Sequence, residues 1–588
     1  MSFTTSSSVT LPVGQDVEQD RASMASHEDD SESTVKPPAR AFLLNHNSSS
    51  RTLVTSSTAA SSTDVGDDDD DDDDEDDDDE DGVAVPSKKG TRAYRYLRWN
   101  FGSVYRRIFT LAFLGNMAAL ALVVVRSLLG GPSCRLTHGT CATAVSANIL
   151  AALFIRNEHT VNAMFKVFVL LPAAGTPLAV RRAFAKVYSY GGIHSGCGVA
   201  SLFWFVAFLV VLTGDSAGPD AAAAAAAVRA YILLDGYLIG ALLAAIIGFA
   251  HPRARVLLHN WFEGTHRFLG WSVILLFWAL VMLLAGDDSG SSGGAGGVPY
   301  AAALVATPSF WMLIAITLLV AYPWTRLRLR DVEAEPMSDH VVKLNFDYAD
   351  VHYGQAVRLT DAPLRETHAF AVIPNPPAAA ADRADDDDAE KGLRGLSNAG
   401  KKGFSVLVSN AGDWTDKIIR NPPKKMWTRG VPQYGVLRVA GLFEPCIVMA
   451  TGSGIGPCLS LFVQRPDHPV RIVWSTQRPA ETYGQAVVDA LYRADPEAVI
   501  IDTKKTGRPD LVAVAYRIWE ASRRRALGLA QDEGGSAAAA AAAGRRRRRR
   551  KTGPCEAVVV ISNQKVTRKV VYGLESRGIP AYGAIFDS

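Results

Sequence analysis

Six apolar runs of spanning or nearly spanning length occupy the first half of this chain, and no other feature narrows its fold as much. They fall near residues 108–129, 142–155, 198–213, 230–250, 268–285 and 307–322. About 20 apolar residues in a helix cross the hydrocarbon of a bilayer, so the pattern predicts an α-helical transmembrane bundle with the lipid bilayer as partner. The second and third runs are short, which leaves five and seven spans open beside six. A further apolar stretch, 167–174, is too short to span and reads as interfacial.

The connections between runs are charged asymmetrically. One set holds Arg106, Arg107, Arg181, Arg182, Lys186, Arg253, Arg255, Arg267, Arg326, Arg328 and Arg330. The alternate set, such as 214–227 and 286–297, is rich in Gly, Ala, Ser and Asp and nearly free of Lys and Arg. Basic loops stay in the cytosol, so both termini are expected there, which requires an even number of spans. Which membrane holds the chain stays open.

At 588 residues the chain is too long for one ordinary core, and its net charge of +1 averages opposed blocks. Residues 67–81 are wholly acidic and 545–551 wholly basic. Both read as solvated low-complexity segments, and no nucleic-acid partner is expected. Residues 1–93 read as an acidic, disordered tail without the apolar core of a signal peptide. Further inserts are expected at 376–402 and 528–553. The six cysteines form no C-x-x-C pair, which gives no support to a zinc or thioredoxin-like site. Cys134 and Cys141 bracket a short loop expected outside the cytosol and are candidates for a disulfide.

Two histidines invite chemistry. His194 stands just before the third run and His266 just before the fifth. Runs three and five point the same way, so both imidazoles reach the same cytosolic depth. There they are candidate axial ligands of one haem. The other open reading is a pair of interfacial histidines hydrogen-bonded near helix ends.

After Arg330 the pattern changes. Short alternating runs at 340–346, 355–359, 368–373 and 404–409 suggest a small antiparallel barrel. From Cys446 onward, apolar strands at 446–450, 470–474, 498–501 and 557–561 alternate with helical stretches at 457–463, 483–494 and 510–526, the mark of a parallel α/β sheet. The turn Ala450-Thr-Gly-Ser-Gly-Ile-Gly-Pro-Cys458 follows the first of these strands. Glycines there permit a tight bend and let a phosphate approach backbone N–H groups at a helix N-terminus. Pro457 stands where the dinucleotide fingerprint G-x-G-x-x-G has its last glycine.

The order of spans, barrel and sheet, together with several segments, resembles the ferric reductase and NADPH oxidase superfamily, most closely its TmpA-type branch of fungal integral membrane flavoproteins. The segments are Tyr96-Leu-Arg-Trp-Asn-Phe-Gly-Ser-Val-Tyr-Arg-Arg107, His259-Asn-Trp-Phe-Glu-Gly-Thr-His-Arg-Phe-Leu-Gly-Trp271, Ser409-Asn-Ala-Gly-Asp-Trp-Thr415, Gly507-Arg-Pro-Asp510, Ile561-Ser-Asn-Gln-Lys565 and Gly583-Ala-Ile-Phe-Asp-Ser588. The resemblance implies a transmembrane region at 94–330, a ferredoxin-reductase-like flavin barrel at 331–444 and a nicotinamide-binding α/β domain at 445–588. It implies FAD and NAD(P)H as cofactors. His368-Ala-Phe-Ala371 matches the family's H-P-F-T/S motif, so His368, Phe370 and Ala371 are the implied flavin contacts. Proline and hydroxyl are both replaced, by Ala369 and Ala371. Gly452, Ser453, Gly454, Ile455, Gly456 and Pro457 match the G-x-G-I-x-P loop that holds the dinucleotide's pyrophosphate. Phe586 matches the near-terminal aromatic that covers the flavin ring. Arg478 is a candidate for a 2′-phosphate, while Ser562-Asn-Gln564 stands where the family's C-G-P cysteine is absent.

The membrane half departs most from the family. Its members hold two haems, with ligands about four helical turns apart within each of two spans. Counting from His194 and His266 reaches Ala207/Phe208 and Ala279/Leu280, so at most one haem is expected. The implied function is a membrane flavoprotein oxidoreductase that moves hydride from NAD(P)H to FAD and electrons to an unknown acceptor. The competing expectation is a degenerate flavoprotein that signals without turnover.

Overall fold

The computed structural model describes residues 85–131, 134–173, 175–215, 223–291, 299–375, 402–529 and 553–585. Phe586, most of the 1–93 tail and nearly all of both inserts lie outside them.

The first half is helical: α1 (Arg92–Asn100), α2 (Val104–Leu129), α3 (His138–Arg156), α4 (Glu158–Val169), α5 (Leu178–Phe184), α6 (Gly191–Asp215), α7 (Ala223–Ala250), α8 (Pro252–Leu257), α9 (His259–Ser291), α10 (Tyr300–Ala306) and α11 (Pro308–Thr325). Among the described residues, six helices are long and apolar enough to cross a membrane: α2, α3, α6 (continued back to Leu178), α7, α9 and α11. Helix association in lipid relies on close packing and polar bridges. Both occur here. A Cβ at Gly192 or Gly196 of α6 would lie 2.5 Å from Tyr105 O or 2.8 Å from Phe109 O of α2, so glycine lets the two backbones meet. Asn116 Oδ1 accepts from Asn148 Nδ2 at 2.7 Å and Trp204 Nε1 at 3.1 Å, which ties α2, α3 and α6 together.

Three expectations need correcting. His194 and His266 lie within α6 and α9, not before them, because both helices begin earlier than their apolar stretches. Cys134 and Cys141 are free thiols, and Cys141 is fully buried in the bundle core. Segment 167–174 is not a separate piece: its first residues end α4, whose Val161 and Phe165 are buried in the core shared with the soluble half, while Val167 and Leu170 stay exposed.

The second half holds two sheets. The first is antiparallel, in the order β1 (Arg328–Asp331), β7 (Lys425–Tyr434), β4 (Gln355–Thr360), β5 (His368–Pro374), β6 (Phe404–Ser409), β3 (Val341–Phe346), β2 (Glu333–Ser338). Its edge strands β1 and β2 are separated in sequence only by the buried Val332, so the sheet curls. The second sheet is parallel, in the order β10 (Val499–Asp502), β9 (Val470–Thr476), β8 (Cys446–Thr451), β11 (Val558–Ile561), β12 (Ala581–Gly583). Strand order reverses at β8, which places the glycine turn at the sheet's switch point, beyond the carboxyl ends of its strands.

Candidate functional site

Each glycine of the turn after β8 has its own reason. Gly452 has φ +49°, a left-handed backbone suited to glycine, and its carbonyl accepts from Trp474 Nε1 at 2.9 Å. Gly454 carries no unusual φ. A Cβ there would lie 2.2 Å from Ile561 O, so the close approach it permits is to the end of β11. Gly456 is different again, since a Cβ would meet only Leu407 of β6, at 3.6 Å. Thr451 and Ser562 share a short hydroxyl–hydroxyl hydrogen bond across the top of β8 and β11. Helix Ile455–Gln464 starts directly after Gly454, so its N-terminus lies at the turn, with the Ile455 N–H bonded back to Gly452 O and no N–H on Pro457. The turn therefore combines a rigid base with a helix N-terminus, an arrangement that favours an anion.

Neighbouring motifs prove to be helix caps. Asp510 Oδ1 accepts from Val512 N at 2.9 Å, and Asn563 Oδ1 accepts from Val566 N at 2.9 Å. Arg478 follows β9 with φ +41°, held by a 2.9 Å bond from its N–H to Asp502 Oδ1. Its side chain is exposed beside Glu481, and Lys504 and Lys505 follow β10, the strand paired with β9. Cys458 offers no nucleophile: it is fully buried, burial pushes its thiol up, and it lies 3.3 Å from Gly454 O.

β5 separates the sequence-derived flavin residues into two faces, as alternation along a strand requires. His368 and Phe370 stack on Trp414, with ring centroids at 4.2 Å and 5.8 Å, and Phe370 packs against the core of the curled sheet. Ala369 and Ala371 point the other way. Sequence reasoning missed what shares their face. Ala369 pairs with Arg358 of β4, which pairs in turn with Arg429 of β7, so two arginines lie side by side next to the bare alanine. Arg429 packs over the Trp324 ring at 4.8 Å, and its Nε is buried without a partner among the described residues. Burial, and then the neighbouring Arg358, lowers its pKa to about 10. A guanidinium with an unsatisfied Nε beside a second guanidinium, itself held by Glu158, is a fit for an anionic group such as the diphosphate of a flavin dinucleotide.

The seam between helices and sheets is polar and specific. Glu158 of α4 accepts from Arg358 Nη1 at 3.2 Å and from Val431 N at 2.8 Å. Gly430 makes room for it, because a Cβ there would fall 2.0 Å from Glu158 Oε1. Asn162 donates to Pro432 O at 2.8 Å and accepts from Tyr434 N at 2.9 Å. Arg181 makes a bidentate pair with Glu556 and also donates to Leu442 O at 2.7 Å. On α9, Glu263 accepts from Thr367 N and Oγ1, each at 3.2 Å, which pins the start of β5 one helical turn from His266.

His194 and His266 come together, with ring centroids 6.2 Å apart. Two imidazoles on one metal, each nitrogen about 2 Å from it and about 1 Å from its own ring centre, would have centroids about 6 Å apart. His194 Nδ1 lies 2.9 Å from Ala152 O, which leaves its Nε2 as the ligating atom, the usual orientation for a metal-bound histidine. The spacing is compatible with a metal between the rings, and a haem bound there would be held by His194 and His266. The outer positions do not fit a second. Phe208 and Leu280 are buried there with Phe205 and Phe277, and Phe205 packs edge-on to Phe277 at 5.7 Å. Among the described residues, no group of three or more His, Cys, Asp or Glu side chains could hold a metal ion.

A family model described as adenylate-forming reductase 03009, C-terminal domain, matches residues 436–535 and 545–588. Adenylate-forming reductase 03009 of Coprinopsis cinerea is 38% identical over 509 residues, 86% of this chain and 42% of its own length. Adenylate-forming reductase 06235 of the same fungus is 36% identical over 510 residues, with the same coverages. The chain thus spans 42% of the length of these curated relatives. Among solved structures it is similar to a flavohemoglobin from Malassezia yamatoensis with bound FAD and heme, at 14% identity and a TM-score of 0.30, covering 72% of this chain and 99% of that one. A ferredoxin-NADP+ reductase from Plasmodium falciparum follows at 9% identity and a TM-score of 0.27, covering 44% of this chain and 95% of that one.

Proposed function

We propose that this chain is a membrane-anchored flavoprotein oxidoreductase, of TmpA type within the ferric reductase and NADPH oxidase superfamily, that moves hydride from NAD(P)H to FAD and electrons to an acceptor still to be named. Its termini lie in the cytosol, with 94–330 in the membrane, 331–444 as the flavin part and 445–588 as the nicotinamide part. The observation that carries the reading is the hydrogen-bonded link from β5 to α9, where Glu263 holds Thr367 one turn from His266. A flavin-type strand fixed to a potential haem ligand is arranged for electron transfer. The word reductase in the relatives' names agrees with it.

The residues divide the work. Gly452 and the start of helix Ile455–Gln464 receive the dinucleotide's pyrophosphate, while Arg358 and Arg429 take that of the flavin. Ser453, Gly456 and Pro457 shape the turn, and Phe586 covers the flavin ring. Bound flavin supplies the chemistry, accepting a hydride and releasing electrons singly. Ala371 gives that ring no hydroxyl, so its seating rests on backbone and on the arginine pair. The same alanine favours a second reading, a sensor that binds flavin without turnover.

An absorption spectrum of the purified protein tests both. Flavin bands bleached by NADPH support the oxidoreductase. Flavin bands that NADPH and NADH leave unchanged support the sensor, and a colourless protein ends both readings.

A further inference from the structure

A second cationic feature lies apart from the glycine turn, beyond the β12 edge of the parallel sheet. There α1, the first turn of α2 and helix Gln564–Glu575 enclose a cleft of about 510 Å³. Lys89, Arg95, Arg98, Arg106, Arg107 and Arg568 line it. Lys186 also lines it but is bound to Glu575, the only carboxylate among the described lining residues, at 2.7 Å. Among the described residues, no ion pair engages Lys89, Arg98, Arg106 or Arg107, and all four are exposed. Arg95 is part-buried, and its Nε is buried with no hydrogen-bond partner among the described residues.

The cleft is built rather than incidental. Pro86 O accepts from Arg577 Nε at 2.7 Å, and Lys89 N donates to Ser576 O at 2.8 Å, so the approach to α1 is tied to the soluble half. Trp99 packs edge-on to Tyr572 at 5.1 Å. Around this fixed cationic wall, α1 exposes Tyr94, Tyr96 and Leu97, followed by Phe101. A short helix that carries arginines together with exposed aromatic and aliphatic side chains suits the headgroup level of a bilayer. Arg106 and Arg107 stand in the first turn of the first spanning-length helix, at the same level.

We propose that this cleft binds the multiply phosphorylated headgroup of an anionic membrane lipid, and that the lipid bridges the first span to the edge of the parallel sheet. Nothing in the oxidoreductase chemistry uses these side chains. The excess of cations matches two or more phosphates, and the exposed aromatic side chains place the source in a bilayer rather than in solution. The proposal rests on the membrane reading of α2.

The test uses the full chain in phosphatidylcholine nanodiscs, titrated with short-chain dioctanoyl phosphatidylinositol 4,5-bisphosphate. Saturable binding is expected, weakened about 30-fold in Arg98→Gln/Arg107→Gln, from roughly 1 kcal/mol per interfacial cation. Arg523→Gln, on an exposed helix face elsewhere, should leave it unchanged. Equal binding to wild type and the double variant overturns the proposal. Inositol trisphosphate binding as tightly as the lipid assigns the cleft to a free phosphate and overturns the lipid source. Binding that appears only after deletion of residues 67–81 makes the chain's own acidic run the occupant, which also overturns it. Carbonate extraction reports separately whether α2 is inserted, because the short-chain probe reads the cleft in either case.

Discussion

The two ends of α6 and α9 carry the same pair of helices to opposite outcomes. At one end His194 and His266 face each other at 6.2 Å, with Ala152 O orienting one ring. About four turns away, Phe205, Phe208, Phe277 and Leu280 fill the equivalent space. The difference teaches that a helix pair can keep its packing while losing half of an electron path. What decides is whether each register holds a nitrogen ligand or an apolar plug. If electrons enter this bundle, the packed end gives them no second haem, so the acceptor must be reached from the histidine end.

The sharpest way to break the comparison is spectral. Wild-type protein should show a single Soret band of a six-coordinate haem, and His194→Ala or His266→Ala should each shift it to a five-coordinate form or remove it with the haem, because only one axial ligand is left. A wild-type spectrum without that band, in protein that has flavin, would show that both ends are structural and reduce the histidines to helix-end hydrogen bonders.

A large effect on stability is expected at the seam that holds the soluble half beneath the histidine end. Arg181 is 6% exposed and Glu556 19%. Arg181→Ala leaves Glu556 with a buried, poorly paired charge and should cost about 3 kcal/mol, read as a lower midpoint in thermal unfolding. Burial pushes the Glu556 carboxyl up, but Arg181 and the Glu444 N–H outweigh it and hold it below its usual range. A depressed folded pKa means stability that is present above the ordinary carboxyl range of about 4.3 and is lost as pH falls through the folded value. The acid limb of the stability profile should therefore flatten in Arg181→Ala. An unchanged limb would show that the pair contributes nothing to the seam.

The packed end should answer to volume alone. Phe208 is fully buried, and Phe208→Ala should cost about 2 kcal/mol through lost packing, since the transfer part of the usual penalty is small among lipid-like neighbours. Its Soret band should be that of wild type. A shifted band would mean that the plug and the histidine pair are coupled and the two ends are not independent.

How much of this was readable beforehand differs between the same regions. The spanning-length helices and strands β3 to β6 follow from hydropathy and alternation, whose periods are local. β7 escaped notice, since Gly430 and Pro432 interrupt its pattern, and the structure assigns both to contacts with α4: Gly430 clears Glu158 and Pro432 O receives Asn162. β12 has only three residues, too few for periodicity. The Arg358–Arg429 pair and the Arg181–Glu556 clamp were illegible for another reason. Their partners lie far apart in sequence, and an exposed arginine and a buried one read alike until the fold brings a neighbour. The stacking of Trp414 on His368 and Phe370 was illegible for the same reason.

The smallest expected effects separate two glycines that the sequence presents as equivalents. Gly454→Ala forces a methyl to 2.2 Å from Ile561 O, a backbone atom that cannot rotate away, and should cost about 2 kcal/mol through displacement of β11. Gly456→Ala meets Leu407 at an ordinary 3.6 Å and lies inside helix Ile455–Gln464 without a positive φ. Alanine there lowers the entropy of the unfolded chain and favours the helix, so a gain of about 0.5 kcal/mol is expected. NADPH binding measured on the same variants then discriminates between strain and ligand access. If Gly456→Ala stabilises the fold and keeps affinity, the turn needs small residues only where β11 and the left-handed bend demand them. If it stabilises the fold but loses affinity, the pyrophosphate approaches over Gly456, and the third glycine serves the ligand rather than the chain.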